Sequence, residues 1–307
     1  MATHEGLVTT GRGPRLFFRE VTSGVASEGG EATLVVPNGW YLLDELLSLA
    51  AKRRIVVYDP RHRGQSDVVE DAAELARGVH ADVDDLERVR RHFGVERFDL
   101  LGHSYMGKVV ALYAMRHADR VRRLVQIGPT EPFAGKQYPP HLTGATADDV
   151  LRETFARLAE LQAASELTDP VERCRRFWQV LARIYVTDAA DAPRAEWGRC
   201  ELPNERQMMR YWMGQLLPSL NALALTREMF AAVRMPVLTI HGTRDRSAPY
   251  GGAREWAMLL PDARLVTVEG AGHAPWIEAP DQVRGAIATF LDGEWPETAE
   301  LVRSLEP

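Results

Sequence analysis

Short apolar runs alternate with amphipathic stretches in the first half of the chain. The runs are rich in Val, Ile and Leu and stop at Pro, Gly or Asp, as buried strands do. They cover residues 33–36, 55–58, 99–101 and 124–127. Apolar residues between them recur at helical spacing, most clearly over 79–93. Strands that alternate with helices predict βαβ units, right-handed crossovers and a parallel sheet.

The strand pattern is absent from about residue 131 to residue 233, where the sequence is helical and rich in aromatic residues. Strand-like runs return at 237–240 and 265–268, and a last helix is predicted over 280–291. We therefore expect an α/β fold with a mostly parallel twisted sheet flanked by helices. Residues 1–130 and 234–307 would form its core, and residues 131–233 would be an inserted helical cap.

Composition narrows the class of protein. The 307 residues are 45% hydrophobic and 26% charged, with a net charge of −6 and no basic stripe that would favour nucleic acid. The first residues lack the features of a signal peptide, and no apolar run approaches the ~18 residues of a membrane span. Cys174 and Cys200 fit no metal-ligand spacing, and we expect reduced thiols in a cytoplasmic protein, with a disulfide as the alternative.

One turn in the sequence carries a specific chemical signal. An apolar strand runs into Gly102-His103-Ser104-Tyr105-Met106-Gly107, and a helical pattern follows at once. A serine on such a sharp strand-to-helix turn has its hydroxyl exposed above the strand end, as in the nucleophile elbow of serine hydrolases. A serine hydroxyl is a weak nucleophile on its own, so a base and a carboxylate are expected further along the chain.

Two later loops supply those groups. Asp245 follows the strand predicted at 237–240, and His273 follows the strand predicted at 265–268. Carboxyl ends of parallel strands meet at one edge of a sheet, so both loops are expected beside Ser104. Glu131, just after the strand at 124–127, is a weaker alternative to Asp245.

The expected chemistry follows from the three residue types. His273 would take the Ser104 proton and return it to the leaving group, and Asp245 would orient the imidazole. The backbone N–H groups of Tyr105 and Trp40 are the candidates for stabilising the oxyanion. This chemistry needs no metal and no organic cofactor, and no His, Asp and Glu grouping has the spacing of a zinc site.

These motifs resemble those of the α/β-hydrolase fold family over nearly the whole chain. The most similar branch is that of capped members, which include proline iminopeptidases, esterases and lactonases. Residues 59–66 (DPRHRGQS) are similar to the family's turn DxRGxGxS, and the acid and histidine loops also match. By resemblance, Ser104, Asp245 and His273 take the positions of the triad. Departures from the pattern are Asn38 for the usual histidine, His62 for a glycine and Met106 for a small residue.

The sequence therefore predicts a serine hydrolase that cleaves an ester, lactone or amide of a small to medium apolar substrate. The alternative is an aminopeptidase like the proline iminopeptidases, in which a cap glutamate, Glu201 or Glu205, would hold the free amine of the substrate. Further candidate residues of the substrate pocket are His103, Trp197 and Trp212. A non-hydrolytic receptor or a lyase is compatible with the same fold, and the oligomeric state stays open.

A second motif overlaps the elbow. Residues 102–108 also satisfy the phosphate-binding pattern GxxxxGK. Val109 stands where Ser or Thr would hold magnesium, so we expect Lys108 to be a solvated helix residue instead.

Overall fold

A computed structural model describes residues 1–23, 32–144 and 149–306. Its sheet has nine strands in the order β1-β2-β4-β3-β5-β6-β7-β8-β9. The six central strands from β4 to β8 are parallel, whereas β1, β2 and β9 add antiparallel edges. The strands are β1 (Ala2–Val8), β2 (Leu16–Thr22), β3 (Ala32–Pro37), β4 (Arg53–Tyr58), β5 (Phe98–His103), β6 (Val121–Ile127), β7 (Val237–Gly242), β8 (Ala263–Val268) and β9 (Ala299–Glu300). The predicted mostly parallel sheet is confirmed.

Twelve α-helices lie in the described part of the chain. They are α1 (Leu43–Leu46), α2 (Ala72–Leu75), α3 (Val79–His92), α4 (Tyr105–Arg116), α5 (Val150–Ala163), α6 (Pro170–Ala182), α7 (Pro203–Tyr211), α8 (Leu217–Asn221), α9 (Arg227–Ala232), α10 (Tyr250–Leu259), α11 (Pro275–Glu278) and α12 (Pro280–Leu291). A π-helical turn, Trp212–Leu216, joins α7 to α8. No helix in these ranges is long and apolar enough to cross a lipid bilayer.

Alternating side chains send the strands into two hydrophobic cores. Leu100 of β5 packs in the core formed with α3, α4 and α10, whereas the next residue, Leu101, packs in the core formed with α1 and α12. Successive strand side chains point to opposite faces of a sheet, so helices on both faces are needed to bury them. The carboxyl ends of the parallel strands remain at one edge, where the predicted site residues follow.

Helices α5 to α9 all lie between β6 and β7, which are adjacent parallel strands of the sheet. The helical segment is therefore an insertion in the connection between neighbouring strands. The role of this insertion as a cap over the site stays a prediction.

Two expectations about individual side chains are wrong. Cys174 and Cys200 form a disulfide that ties α6 to the turn before α7, although reduced thiols were expected. Lys108 is not solvated: it is only 3% exposed in α4, and burial lowers its pKa. Lys108 is buried because α4 packs between the sheet and other helices. The residues next to it in the sequence do not indicate this burial.

Candidate active site

The strand-to-helix turn is built as the sequence predicts. Ser104 lies between the last residue of β5 and the first of α4, with φ 58° and ψ −131°. Non-glycine residues rarely adopt positive φ, and such strain concentrates at functional sites. The turn is tight because Gly102 packs on the backbone of Met106, where an added Cβ would overlap the carbonyl oxygen. Met106 directs its side chain into the core, 1% exposed, so its size does not open the turn.

Asp245 and His273 meet in a buried pair. His273 Nδ1 lies 2.7 Å from Asp245 Oδ2, and both residues are 1% exposed. The second oxygen, Oδ1, accepts the backbone N–H groups of Ser247 at 2.7 Å and Ala248 at 2.8 Å. Burial by itself would raise the pKa of Asp245, but attraction to His273 and the hydrogen bonds outweigh it and hold that pKa well below its usual range. The carboxylate is thus kept charged and fixed.

Backbone contacts bring Ser104 to the same edge as this pair. The Ser104 N–H donates to Ile127 O at the end of β6 at 2.9 Å, and Gly128 donates to Ile240 O of β7 at 2.9 Å. Gly128 has φ 49°, and a Cβ added there would lie 3.1 Å from His273 Nδ1. Strand ends β5, β6 and β7 therefore converge on the imidazole.

His103 gives a second link between the turn and the histidine loop. Its ring centroid lies 4.5 Å from that of His273, and its Nε2 lies 3.0 Å from His273 O. Within the described residues no hydrogen bond joins the Ser104 hydroxyl to His273. Contacts of this kind often tighten only when substrate binds. His103 itself is 3% exposed and Tyr41 Oη lies 2.8 Å from its Nδ1, so its position is that of a packed residue beside the turn.

The two candidate oxyanion donors begin helical turns. Tyr105 is the first residue of α4, and Trp40 opens the 3-10 turn Trp40–Leu42. N–H groups at the start of a helix have no partner within it. The Trp40 indole stacks on Phe17 at 5.6 Å and packs under the guanidinium of Arg199 at 4.9 Å. Trp40 follows the carboxyl end of β3, and Tyr105 follows that of β5.

Aromatic side chains from the helical segment pack near His273. Trp197 stacks on Tyr41 at 4.2 Å and on Tyr185 at 4.9 Å, and the Tyr185 ring lies 5.2 Å from His273. The ring of Trp212 lies 4.9 Å from that of Tyr105, the residue after Ser104. Tyr41 and Tyr185 were not selected from the sequence, which has no signal that distinguishes them from other aromatic residues.

The two candidate amine-binding glutamates have different environments. The Glu201 side chain is 70% exposed and forms an ion pair with Arg175. Glu205 is 3% exposed, and its carboxylate lies 2.5 Å from Arg63 Nη2. Burial opposes ionisation of Glu205, but Arg63 lowers its pKa below the usual range. Arg63 and Tyr105 line the same small pocket, so Glu205 lies near the turn at Ser104 with its charge already matched by Arg63.

Two further residues hold the loops of the pair. His241 is fully buried at the end of β7, and its Nε2 lies 3.0 Å from Asp245 Oδ2, the oxygen that faces His273. Glu278 accepts the N–H of Gly272, next to His273, at 2.7 Å and the N–H of Thr187 in the helical segment at 2.7 Å. The short spacing of His241 and Asp245 in the sequence could have indicated their contact. Nothing in the sequence indicates the contact of Glu278 with Thr187.

No group of three or more His, Cys, Asp or Glu side chains that could hold a metal ion is found in residues 1–23, 32–144 and 149–306. The site thus consists of a serine, an imidazole and a carboxylate at one sheet edge.

The sheet and the side chains at its carboxyl edge are those of one class of protein, the α/β hydrolases. Residues 29–280 match the family model of the α/β hydrolase fold. The chain belongs to that family and is a hydrolase. Among curated proteins, it is 31% identical over 62% of its length to the pimeloyl-[acyl-carrier protein] methyl ester esterase of Aromatoleum aromaticum, covering 73% of that protein. The enzyme of the same name from Xanthomonas campestris pv. campestris is 28% identical over 71% of this chain and 91% of the relative.

Among solved structures, an esterase from Exiguobacterium antarcticum superposes with a TM-score of 0.68. It is 16% identical and covers 94% of this chain and 100% of its own. At that identity the likeness supports the fold alone. The predicted family is therefore confirmed, and the esterase names belong to the relatives.

Proposed function

We propose that this chain is a serine esterase that cleaves carboxylic esters of small to medium apolar acids through an acyl-serine intermediate. The observation that carries the proposal is the buried His273–Asp245 pair at the sheet edge where Ser104 occupies its strained turn. The esterase names of the curated relatives support the choice of ester over lactone or amide. Their methyl ester on acyl-carrier protein is one candidate substrate.

The steps assign one role to each group. As Ser104 Oγ attacks the ester carbonyl, His273 Nε2 takes its proton, and the N–H groups of Tyr105 and Trp40 stabilise the oxyanion. When the bond to the alcohol breaks, His273 returns the proton to the leaving oxygen. A water then attacks the acyl-serine with the same base, releasing the acid and restoring Ser104. Asp245 stays charged and fixes the imidazole throughout.

The helical segment is proposed as the cap of this site. Its Tyr185 and Trp197 stack beside His273, and Glu205 reaches Arg63 of the core. Such a roof would exclude water and select an apolar acyl body. A cytoplasmic location remains a prediction, and the Cys174–Cys200 disulfide removes one argument for it, since disulfides persist mainly in oxidising compartments.

The aminopeptidase alternative has less support. Glu205 is the buried candidate for binding a free amine, but its charge is matched by Arg63. Parallel assays on p-nitrophenyl acetate and a prolyl anilide decide between the two, and turnover of the anilide that falls in Glu205→Gln would favour the aminopeptidase.

The direct test of the esterase is hydrolysis of p-nitrophenyl acetate by wild type, Ser104→Ala and Ser48→Ala. Ser48 is an exposed serine in the turn after α1 and serves as the matched control. We expect kcat to fall by roughly 10⁴- to 10⁶-fold in Ser104→Ala and to stay unchanged in Ser48→Ala. A folded wild type that hydrolyses no ester would favour the receptor or lyase on the same fold.

A further inference from the structure

A cavity of about 800 Å³ lies among helices α5, α6 and α7 of the helical segment. Its walls are the facing sides of these helices and the π-helical turn that follows α7. Pockets of roughly 300–1,000 Å³ hold most small-molecule ligands. The cavity is thus large enough for an organic ligand and is not part of the aromatic cluster around His273.

The walls are mostly carbon. Leu158 and Leu161 of α5 face Phe177 of α6 and Met208 and Met209 of α7, and all five are only partly buried. Apolar side chains left partly open around one space mark a site that another apolar group covers. Methionine side chains are flexible and polarizable, so two neighbouring methionines suit a ligand of variable shape such as a hydrocarbon chain.

The charged groups of the wall are already used inside the protein. Glu205 pairs with Arg63. The guanidinium of Arg173 donates to the carbonyl oxygens of Leu161 and Ala164, each at 2.9 Å. A charged ligand would therefore have to displace an internal partner, whereas an uncharged chain would not.

Arg206 completes the set of charged wall residues. Its Nη1 donates to Cys200 O at 3.4 Å, next to the disulfide, and the residue is only partly buried. Its contact is longer than those of Arg173, and among the described residues both arginines are held by carbonyl oxygens and not by a carboxylate.

The cavity is one side-chain layer from the elbow. Glu205 lies in its wall and pairs with Arg63, and Arg63 and Tyr105, the residue after Ser104, line one small pocket beside it. Met208 also lines a small pocket that Tyr105 and Arg63 border on the other side. Met208, which borders both the cavity and this small pocket, therefore lies between the cavity and the turn at Ser104.

We infer that this cavity binds the distal part of an uncharged hydrocarbon chain carried by the acyl group of the ester. The inference rests on the proposed esterase function and specifies its substrate class. An acyl chain seated there would place its carbonyl at the sheet edge and its methyl end among the methionines.

The test compares p-nitrophenyl acetate, butyrate, octanoate and laurate as substrates. Wild type should show kcat/KM rising with chain length, by more than about tenfold from acetate to laurate, because each buried methylene adds to binding. Met209→Trp and Leu161→Trp fill the cavity from opposite walls. Each should lose most of the laurate advantage and keep acetate hydrolysis within about twofold, because the filled space lies beyond the reacting atoms.

Met258→Trp is the matched control, since Met258 is a partly exposed methionine of α10 away from this cavity. It should leave the whole series unchanged, and thermal melting checks that every variant is folded. A wild type without chain-length preference, or filled variants that hydrolyse laurate normally, would overturn the inference.

If no ester of any length is cleaved, the proposed function fails separately. Binding of the fluorescent fatty acid cis-parinaric acid then decides the cavity alone. Saturable binding that is lost in Met209→Trp and kept in Met258→Trp supports a hydrocarbon site, and equal binding by all three proteins contradicts it.

Discussion

His241 Nε2 lies 3.0 Å from Asp245 Oδ2, and His273 Nδ1 approaches the same oxygen at 2.7 Å. Both imidazoles therefore contact the same carboxylate oxygen, but only that of His273 faces the turn at Ser104. His241 is fully buried, and its Nε2 also lies 3.2 Å from Ala248 O, so this nitrogen carries the proton. We regard His241 as a positioning residue that acts through Asp245.

Removal of this donor should alter the pH profile of the enzyme. His241→Leu leaves more negative charge on Oδ2, which stabilises a protonated His273, so the acid limb of kcat/KM should move to higher pH. We also expect kcat to fall by about tenfold, since a hydrogen bond to a charged group contributes roughly 1.5–3 kcal/mol. His241→Gln retains an N–H donor and should restore both values. A Leu variant with the wild-type profile would limit His241 to packing.

The pH dependence of wild type should show one protonation on its acid side. The base must be neutral to accept the serine proton, so kcat/KM should fall on the acid side as His273 takes up a proton. Because the pKa of Asp245 is held well below its usual range, the carboxylate adds no second step above pH ~4. Activity that is flat down to pH 4 would exclude His273 as the base.

Asp82 should make the folded protein less stable as the pH rises. It is 2% exposed in α3, and neither of its oxygens has a hydrogen-bond partner in the described residues. Burial raises its pKa to about 7, an effect that Arg61 opposes and Asp85 reinforces. A folded-state pKa above the unfolded value of about 3.9 means that stability is lost as pH rises through 4 to 7.

Asp82→Asn removes that titration. At pH 8 the variant should be more stable than wild type by about 1–3 kcal/mol, because no buried charge is left unpaired. At pH 5 the two proteins should differ little, since wild type then carries a neutral acid. Urea unfolding at both pH values measures this, with exposed Asp44→Asn as the control. An equal difference at pH 5 and pH 8 would contradict the assignment.

His62 occupies a position where the family resemblance led us to expect glycine. Its φ is 65°, and its ring stacks on Tyr211 with centroids 3.9 Å apart. A side chain at positive φ costs roughly 1–2 kcal/mol, which glycine avoids. His62→Gly and His62→Ala both lose the stacking on Tyr211, so they differ only in the cost of a side chain at positive φ. The free energy of unfolding should therefore be higher for the Gly variant by about 1 kcal/mol.

The control for this comparison is His117, whose φ of −132° suits any residue. There the glycine variant should be the less stable of the pair, because only the entropy cost of glycine remains. If the alanine variant is the more stable of the pair at residue 62 as well as at residue 117, the backbone at His62 is not strained.

Local patterns were sufficient for the framework. Strand runs that end in Pro or Gly predicted the parallel sheet, and the strand-to-helix glycines predicted the turn at Ser104, because these signals depend on neighbours in the sequence. The contacts between Asp245 and His273 followed from strand ends sharing one edge. The catalytic roles of these side chains stay predictions.

Long-range packing was not accessible in this way. The Cys174–Cys200 disulfide, the burial of Lys108 and the bridge from Glu278 to Thr187 depend on how the helical segment and the helices settle on the sheet. The cavity between α5, α6 and α7 depends on gaps between helices, which residue periodicity does not encode.

The most direct measurement is peptide mass mapping after treatment of the folded protein with a fluorophosphonate. A single adduct on Ser104, absent from Ser104→Ala, retained in Ser48→Ala and slowed in a His273→Gln variant, is the predicted result. A folded wild type that takes up no label, or takes it up on another serine, would contradict the assignment of Ser104 as the nucleophile.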